Sequence, residues 1–178
     1  LHLSLRRQRQ MCIRDRPGIA LYGMDRGLWR ELGISLEPVL SCRTQIVYLR
    51  EVGPGFPVSY GRTFVTTKEK TVIATLPVGY NDGYRRCLSN RASVIVRGKR
   101  VPVIGTVTMD YTMIDVTDVE GVSIGDIVTL IGKDGDEEIP LEEVASLCDT
   151  IPHEITCGLS KRVVRVYLER VDARRKLQ

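Results

Sequence analysis

Apolar and polar positions alternate along most of this chain in short runs, and glycines or Asp-Gly pairs interrupt the runs about every 8–12 residues. A period of two sends successive side chains to opposite faces of a strand, so runs of this kind build half-buried sheets. The pattern predicts a long strand over 39–52, ending at the turn GPGFP, and further strands over 72–78 and 93–96. The pair Gly98-Lys99 joins the last of these to 101–109 as a hairpin. Strands over 113–116, 127–131 and 163–168, rich in β-branched residues, complete the set. Helical spacing is confined to one region. Leu141, Val144, Ala145 and Cys148 fall on one face behind Pro140 and an acidic first turn, and 152–159 reads as a second short helix. No internal repeat is evident. The fold class is therefore mainly β, barrel-like or a sandwich, with one or two short helices.

The two ends fall outside this pattern. Residues 1–15, LHLSLRRQRQMCIRD, share neither period with the segment after Arg16 and read as a foreign or disordered tail. The polar end, 171–178, is expected to fray. No apolar run approaches the roughly 18 residues of a membrane span, so no transmembrane segment is expected. No apolar core of about 7–15 residues stands behind the basic start, so a cytoplasmic protein is expected rather than a secreted one.

Charge first suggests a nucleic-acid partner and then removes it. The net +4 comes from residues 1–16, where Arg6, Arg7, Arg9, Arg14 and Arg16 face a single acid, Asp15. Removing those five of 26 basic and one of 22 acidic residues leaves 21 of each. A neutral body with two Phe and one Trp offers little to a free-standing β-barrel module that binds nucleic acid or ligand, though that class stays open as a rival. The five cysteines, Cys12, Cys42, Cys87, Cys148 and Cys157, show no metal-ligand spacing and read as reduced thiols, mostly buried. His2 and His153 are the only histidines, too few to favour a zinc site or a Ser-His-Asp triad.

Four segments carry residues with chemical capacity. In VSYGRTF, Tyr60 lies between Ser59 and Gly61 behind a loop stiffened by Pro54 and Pro57, so its phenol has little steric cover. A tyrosine serves as acid or base only where positive charge lowers its pKa of about 10. A ring packed at a strand edge is the simpler reading of that residue alone. PVGYNDGYRR sets Tyr80 and Tyr84 around an Asn-Asp-Gly turn with Arg85 and Arg86 beyond, and a plain surface turn is the simpler reading of it alone. In TVTMD, Met109 ends a strand beside Asp110, a place where methionine usually fills core. RPGIALYG offers backbone N–H groups near Gly18 to an anion such as phosphate.

Taken in order, RPGIALYG, VSYGRTF, PVGYNDGYRR and VPVIGTVTMDYTMIDV resemble the carboxy-terminal half of bacterial alanine racemases, with GDIVTLIG and HEITCGLSKRVVRVYL extending the likeness to Leu168. Four motifs in this order are far more specific than any one of them. The resemblance implies a homodimer in which each subunit joins an amino-terminal (β/α)8 barrel, holding pyridoxal 5'-phosphate on a lysine, to a carboxy-terminal β-domain. Each β-domain lends a tyrosine to the other subunit's active site. On this reading residues 16–36 end the barrel and form a linker, and 37–170 form the β-domain.

The same resemblance assigns roles. Tyr60 matches the tyrosine base that acts on L-alanine, while the barrel lysine acts from the opposite face to yield D-alanine for peptidoglycan. Met109 matches the residue whose backbone N–H holds the substrate carboxylate. Arg16 matches the arginine facing the pyridine nitrogen, and Gly18 and Ile19 match backbone contacts to the cofactor phosphate. Tyr80 and Arg86 match residues of the substrate entry channel. Two departures stand out: the barrel with its lysine is missing, and Lys161 stands where many members have a phosphate-contacting tyrosine. A racemase of the same fold acting on serine, or on a broader set of amino acids, is the alternative enzyme.

Overall fold

A computed structural model describes residues 18–24, 29 and 31–168. Residues 1–15, Arg16 and 171–178 lie outside that range.

The stretch 39–52 is not one strand, because the chain turns a corner at Ile46. The corner separates β1 (Cys42–Gln45) from β2 (Tyr48–Val52). Ile46 donates its N–H to Asp126 and accepts from Gly125, whereas the next N–H, that of Val47, goes to Thr75. One residue thus belongs to one sheet and its neighbour to another, and the Ile46 side chain is fully buried at the join. Alternation in the sequence reports which face is buried, not which strand lies alongside.

The remaining strands are β3 (Pro57–Val58), β4 (Phe64–Val65), β5 (Thr71–Leu76), β6 (Ser93–Val96), β7 (Lys99–Pro102), β8 (Thr112–Asp115), β9 (Ile127–Asp134) and β10 (Glu137–Ile139). One sheet runs β1-β9-β6-β7 with β10 also on β9, a second runs β2-β5-β8, and β3 pairs with β4. Every pairing is antiparallel. A second corner lies just past β7. Val103 donates to Ala92 and bridges Ile114, while Ile104 donates to Met113. Strand neighbours can therefore be followed from β9 through β1, the Ile46 corner, β2, β5, β8, the 103–104 corner, β7 and β6 back to β9. This barrel-like circuit is the mainly β architecture expected from the pattern. The hairpin predicted over 101–109 is shorter, since the chain leaves the sheet at Val103 instead of extending to Met109.

The main core fills the circuit with Ala74, Leu76, Val94, Val96, Ile114, Val128 and Leu130, all buried. In β6 and β9 neighbouring residues are buried in unbroken runs, which requires cover on both faces. That cover includes β10 and helix α1 (Leu141–Leu147), whose Leu141, Val144 and Ala145 turn inward as the spacing predicts. Helix α2 (Pro152–Gly158) comes next, with proline in its first turn, and buries Ile155. A smaller core of Val52, Val58, Ile73 and Ile104, joined by Phe56, Phe64 and Met113, lies under the loop between β3 and β4.

Two expectations fail. Residues 163–168 form no strand: β-branched side chains favour strands, but no strand among the described residues pairs with them, and Val164 and Val166 are exposed. The cysteines are neither all reduced nor mostly buried. Cys87 and Cys148 form a disulfide with Cα atoms 5.4 Å apart, Cys157 is exposed, and Cys42 is half-buried. A separation of 61 residues hides such a pair from any reading of local spacing. Among the described residues no helix is long and apolar enough to cross a membrane.

Candidate active-site face

Tyr60 opens a single 3-10 turn, Tyr60–Arg62, that links β3 to β4. Its side chain is 75% exposed, yet its backbone is fixed. Thr106 Oγ1 donates to the Tyr60 carbonyl at 2.9 Å, and Ser59 Oγ donates to the Thr106 carbonyl at 2.6 Å. Ser59, Gly61 and Arg62 all have positive φ, at 60°, 74° and 51°. Left-handed backbone at Ser and Arg is uncommon and persists where the surroundings over-determine it. The two chains approach so closely that a Cβ on Gly105 would stand 2.7 Å from the Val58 carbonyl oxygen.

Three residues beyond Thr106 the same segment reaches Met109, which is 52% exposed rather than core filler. Tyr80 donates its N–H to Thr108 at 3.0 Å and Asn81 donates to Met109 at 3.1 Å. The Met109 carbonyl is thereby engaged, whereas its N–H has no hydrogen-bond partner among the described residues. Gly79 permits this approach, since a Cβ there would meet the Thr108 and Met109 carbonyl oxygens at 2.3 Å. Asp82 closes the turn by accepting the Gly79 N–H at 3.0 Å. The Tyr80 side chain, 44% exposed, stands on the outer rim of that turn.

Arg86 begins the 3-10 turn Arg86–Leu88 and is exposed. Its carbonyl accepts from Ser89 Oγ at 2.5 Å, and Ser89 Oγ in turn accepts the Val107 N–H at 2.9 Å. Segment 104–109 is thus common to three of the sequence candidates: Tyr60 through Thr106, Tyr80 directly, and Arg86 through Ser89. Arg162 ties the far side together by approaching Asp110 at 3.0 Å and Asp82 at 3.6 Å. Lys161 stands beside it, exposed, with no ion-pair partner among the described residues. Gly18 (φ 59°) and Ile19 open the 3-10 turn Gly18–Tyr22, and Ile19 packs on the main core. Arg16 lies outside the described residues, so its assignment has no structural context.

Sequence reasoning misses Ser59, Asn90, Thr106 and Arg162, all of which hold the face together. Thr106 carries a usable signal, as a polar residue inside the apolar run VPVIGTV. Asn90 carries none beyond its tolerance of left-handed backbone.

Two groups have the chemistry that a phosphate accepts, the exposed Lys161 and the glycine-led turn Gly18–Tyr22. The Lys161 ammonium supplies charge, and the first N–H groups of the Gly18–Tyr22 turn have no hydrogen-bond partner among the described residues. Among those residues no cluster of three His, Cys, Asp or Glu side chains is placed to hold a metal ion.

Residues 39–167 match the family described as alanine racemase, C-terminal domain. The chain is 51% identical to an alanine racemase of Halothermothrix orenii over 156 residues, covering 88% of this chain and 41% of that protein. It is 49% identical to the alanine racemase of Geobacter sulfurreducens over 158 residues, covering 88% of this chain and 41% of the relative. Among solved structures, the alanine racemase of Bacillus anthracis with bound L-Ala-P superposes with a TM-score of 0.75 at 42% identity, covering 82% of this chain and 37% of that one. The enzyme of Bartonella henselae with covalently bound pyridoxal phosphate gives 0.76 at 38% identity, covering 85% and 40%. The chain spans about 40% of the length of the curated relatives it matches. With a family match over most of the β circuit and about half of all positions identical to these relatives, the chain belongs to the alanine racemase family and corresponds to its carboxy-terminal part.

Proposed function

We propose that this chain is the tyrosine-bearing part of a pyridoxal 5'-phosphate-dependent alanine racemase that interconverts L-alanine and D-alanine and supplies D-alanine for peptidoglycan. The observation that carries the reading is the pairing of an exposed phenol on a fixed backbone, Tyr60, with a free N–H on the same supporting segment, at Met109.

A racemase must remove the α-proton from one face and return a proton to the other. Pyridoxal phosphate, when bound, supplies the electron sink that makes this proton removable. Tyr60 is the base for L-alanine and the donor that completes the reverse reaction. A lysine in the remainder of the protein acts from the opposite face, and a cation there lowers the cost of ionising the phenol. Met109 offers its N–H to the substrate carboxylate, which fixes the α-carbon without taking part in proton transfer. Gly18, Ile19 and Lys161 would hold the cofactor phosphate, and Arg16 would face its ring nitrogen. Tyr80 and Arg86 border the approach of substrate. A homodimer brings each Tyr60 to the partner subunit's cofactor.

The test is Tyr60→Phe in the protein that includes the barrel, measured as α-deuterium exchange from each enantiomer in heavy water. Loss of a general base typically costs about 10²–10⁴-fold. Exchange from L-alanine should fall by that order, exchange from D-alanine less, and overall racemisation at least as far as the former. Equal and mild losses from both enantiomers would leave Tyr60 as a packing residue only.

A further inference from the structure

Behind Tyr60 the hydrogen bonds form a chain with a direction. Asn90 holds a left-handed backbone at φ 55°, and its Oδ1 accepts the Gly105 N–H at 2.5 Å. A backbone N–H can only donate, so the carboxamide orientation is fixed by that contact and its Nδ2 faces Thr63 Oγ1 at 3.0 Å. Thr106 has one hydroxyl proton and spends it on the Tyr60 carbonyl at 2.9 Å. The 3.3 Å contact between Thr63 and Thr106 can therefore be a hydrogen bond only with Thr63 as donor. Protons thus point one way, from Asn90 to Thr63 to Thr106 to the Tyr60 carbonyl, and each hydroxyl donates once. Aligned donors polarise one another, so such a chain holds its geometry better than separate bonds do.

The Tyr60 phenol is 75% exposed and makes no hydrogen bond among the described residues, so what this relay fixes is the backbone from which the phenol projects. The relay also starts and ends on the segment that carries Met109: Gly105 is its anchor and Thr106 its last donor.

We propose that Asn90 and Thr106 are positioning residues that fix the Tyr60 backbone, the base from which the phenol reaches out, relative to the Met109 N–H through the directed relay Asn90–Thr63–Thr106–Tyr60. The inference rests on the reading of Tyr60 as the base for L-alanine. Neither residue touches substrate. Their effect is on the distance over which the proton moves, where an error of about 1 Å can cost on the order of 100-fold in rate.

The experiment uses the full-length holoenzyme and four variants. Asn90→Gly keeps the left-handed backbone at ease while deleting both side-chain bonds. Thr106→Val is an isosteric loss of the buried hydroxyl, and Thr106→Ser retains the hydroxyl. Tyr60→Phe is run in parallel. Asn90→Gly and Thr106→Val should lower α-deuterium exchange from L-alanine by about 10- to 100-fold, lower kcat, and move KM for alanine much less. Thr106→Ser should restore most of the exchange. Amide hydrogen exchange across 58–63 should quicken in both loss variants, a readout independent of activity.

If Asn90→Gly fails to fold, Thr106→Val decides alone. Folded loss variants with normal exchange from L-alanine, or with equal losses from both enantiomers, overturn the positioning role. If Tyr60→Phe abolishes L-side exchange while the relay variants leave it intact, only this inference falls. If Tyr60→Phe itself leaves L-side exchange intact, the reading of Tyr60 as base falls, and this inference with it.

Discussion

Asn81 gives its backbone N–H to the carbonyl of Met109 at 3.1 Å, so the turn that presents Tyr80 and the segment that presents Met109 are one hydrogen-bonded unit. The unit depends on the bare Cα of Gly79, because a Cβ there would press on two backbone carbonyl oxygens at 2.3 Å. Backbone cannot rotate away as a flexible side chain would. Gly79→Ala should therefore cost about 1–3 kcal/mol of stability, the usual range for forced overpacking, and raise KM for alanine in the full-length enzyme more than it lowers kcat. Urea unfolding and steady-state kinetics check the two parts. A fully stable variant with normal KM would show that the approach is not needed.

Burial of Cys42 carries a pH signature. Desolvation, with the nearby Asp82 carboxylate second, pushes the Cys42 thiol from its ordinary 9.0 up to about 11. Between those values the unfolded chain releases a proton that the folded chain keeps. The associated stability is present below about pH 9 and is lost as pH rises toward 11, by up to about 2–3 kcal/mol. Tyr84 is raised in the same direction, by burial first and the neighbouring thiolate charge second, and adds to the decline above pH 10. Urea midpoints from pH 8 to 11 should fall, and Cys42→Ala should flatten the slope. An unchanged slope in that variant would place the alkaline weakness elsewhere.

Tyr84 is also the clearest buried polar misfit. Its hydroxyl is buried without a hydrogen-bond partner among the described residues, and the residue lines a pocket of about 260 Å³ together with Cys42, Asp82 and Arg162. An unmet buried hydroxyl costs about 1–3 kcal/mol. Tyr84→Phe deletes that atom alone and should raise stability by about 1 kcal/mol. A loss of that size instead would mean that ordered water satisfies the group.

The Cys87–Cys148 disulfide joins the turn beginning at Arg86 to the carboxy-terminal cap of α1 across 61 residues. A loop of that length restricts the unfolded chain, and disulfides of this kind typically contribute about 2–4 kcal/mol. Cys148→Ser, or reduction by a dithiol, should lower the urea midpoint accordingly. Thiol titration should count two more reactive groups after reduction of the unfolded chain. No change in either measurement would show that the pair is not oxidised in solution.

Much of the fold is legible in the sequence because most strands lie in a half-buried sheet, where period-two alternation is the direct imprint of burial. The alternating burial of 42–45 and 112–115 shows that imprint, whereas 93–96 reads as strand from its β-branched side chains and Leu141, Val144 and Ala145 as helix from their spacing. Residues 39–52 mislead because the apolar run continues through Ile46 while the inward-facing positions change from 42, 44 and 46 to 49 and 52, a switch that no turn residue marks. Residues 163–168 mislead because propensity cannot supply a partner strand. The candidate residues are legible only as motifs in order. Their proximity is not, since Tyr60 and Thr106 are 46 positions apart in the chain. Asn90, Ser59 and Arg162 give no local pattern at all. They act through contacts that exist only once the circuit has closed.

The two corners, at Ile46 and at 103–104, tie the two larger sheets to each other at both ends. An open sheet can shed its outermost strand and keep the rest, but here each ladder's neighbour is also the other ladder's support. Loosening β2 slackens β5 and β8, and through Ile114 and Val103 the slack arrives beside Gly105 and Thr106. Tyr60 is mounted beside one of these two corners, through Gly105 and Thr106.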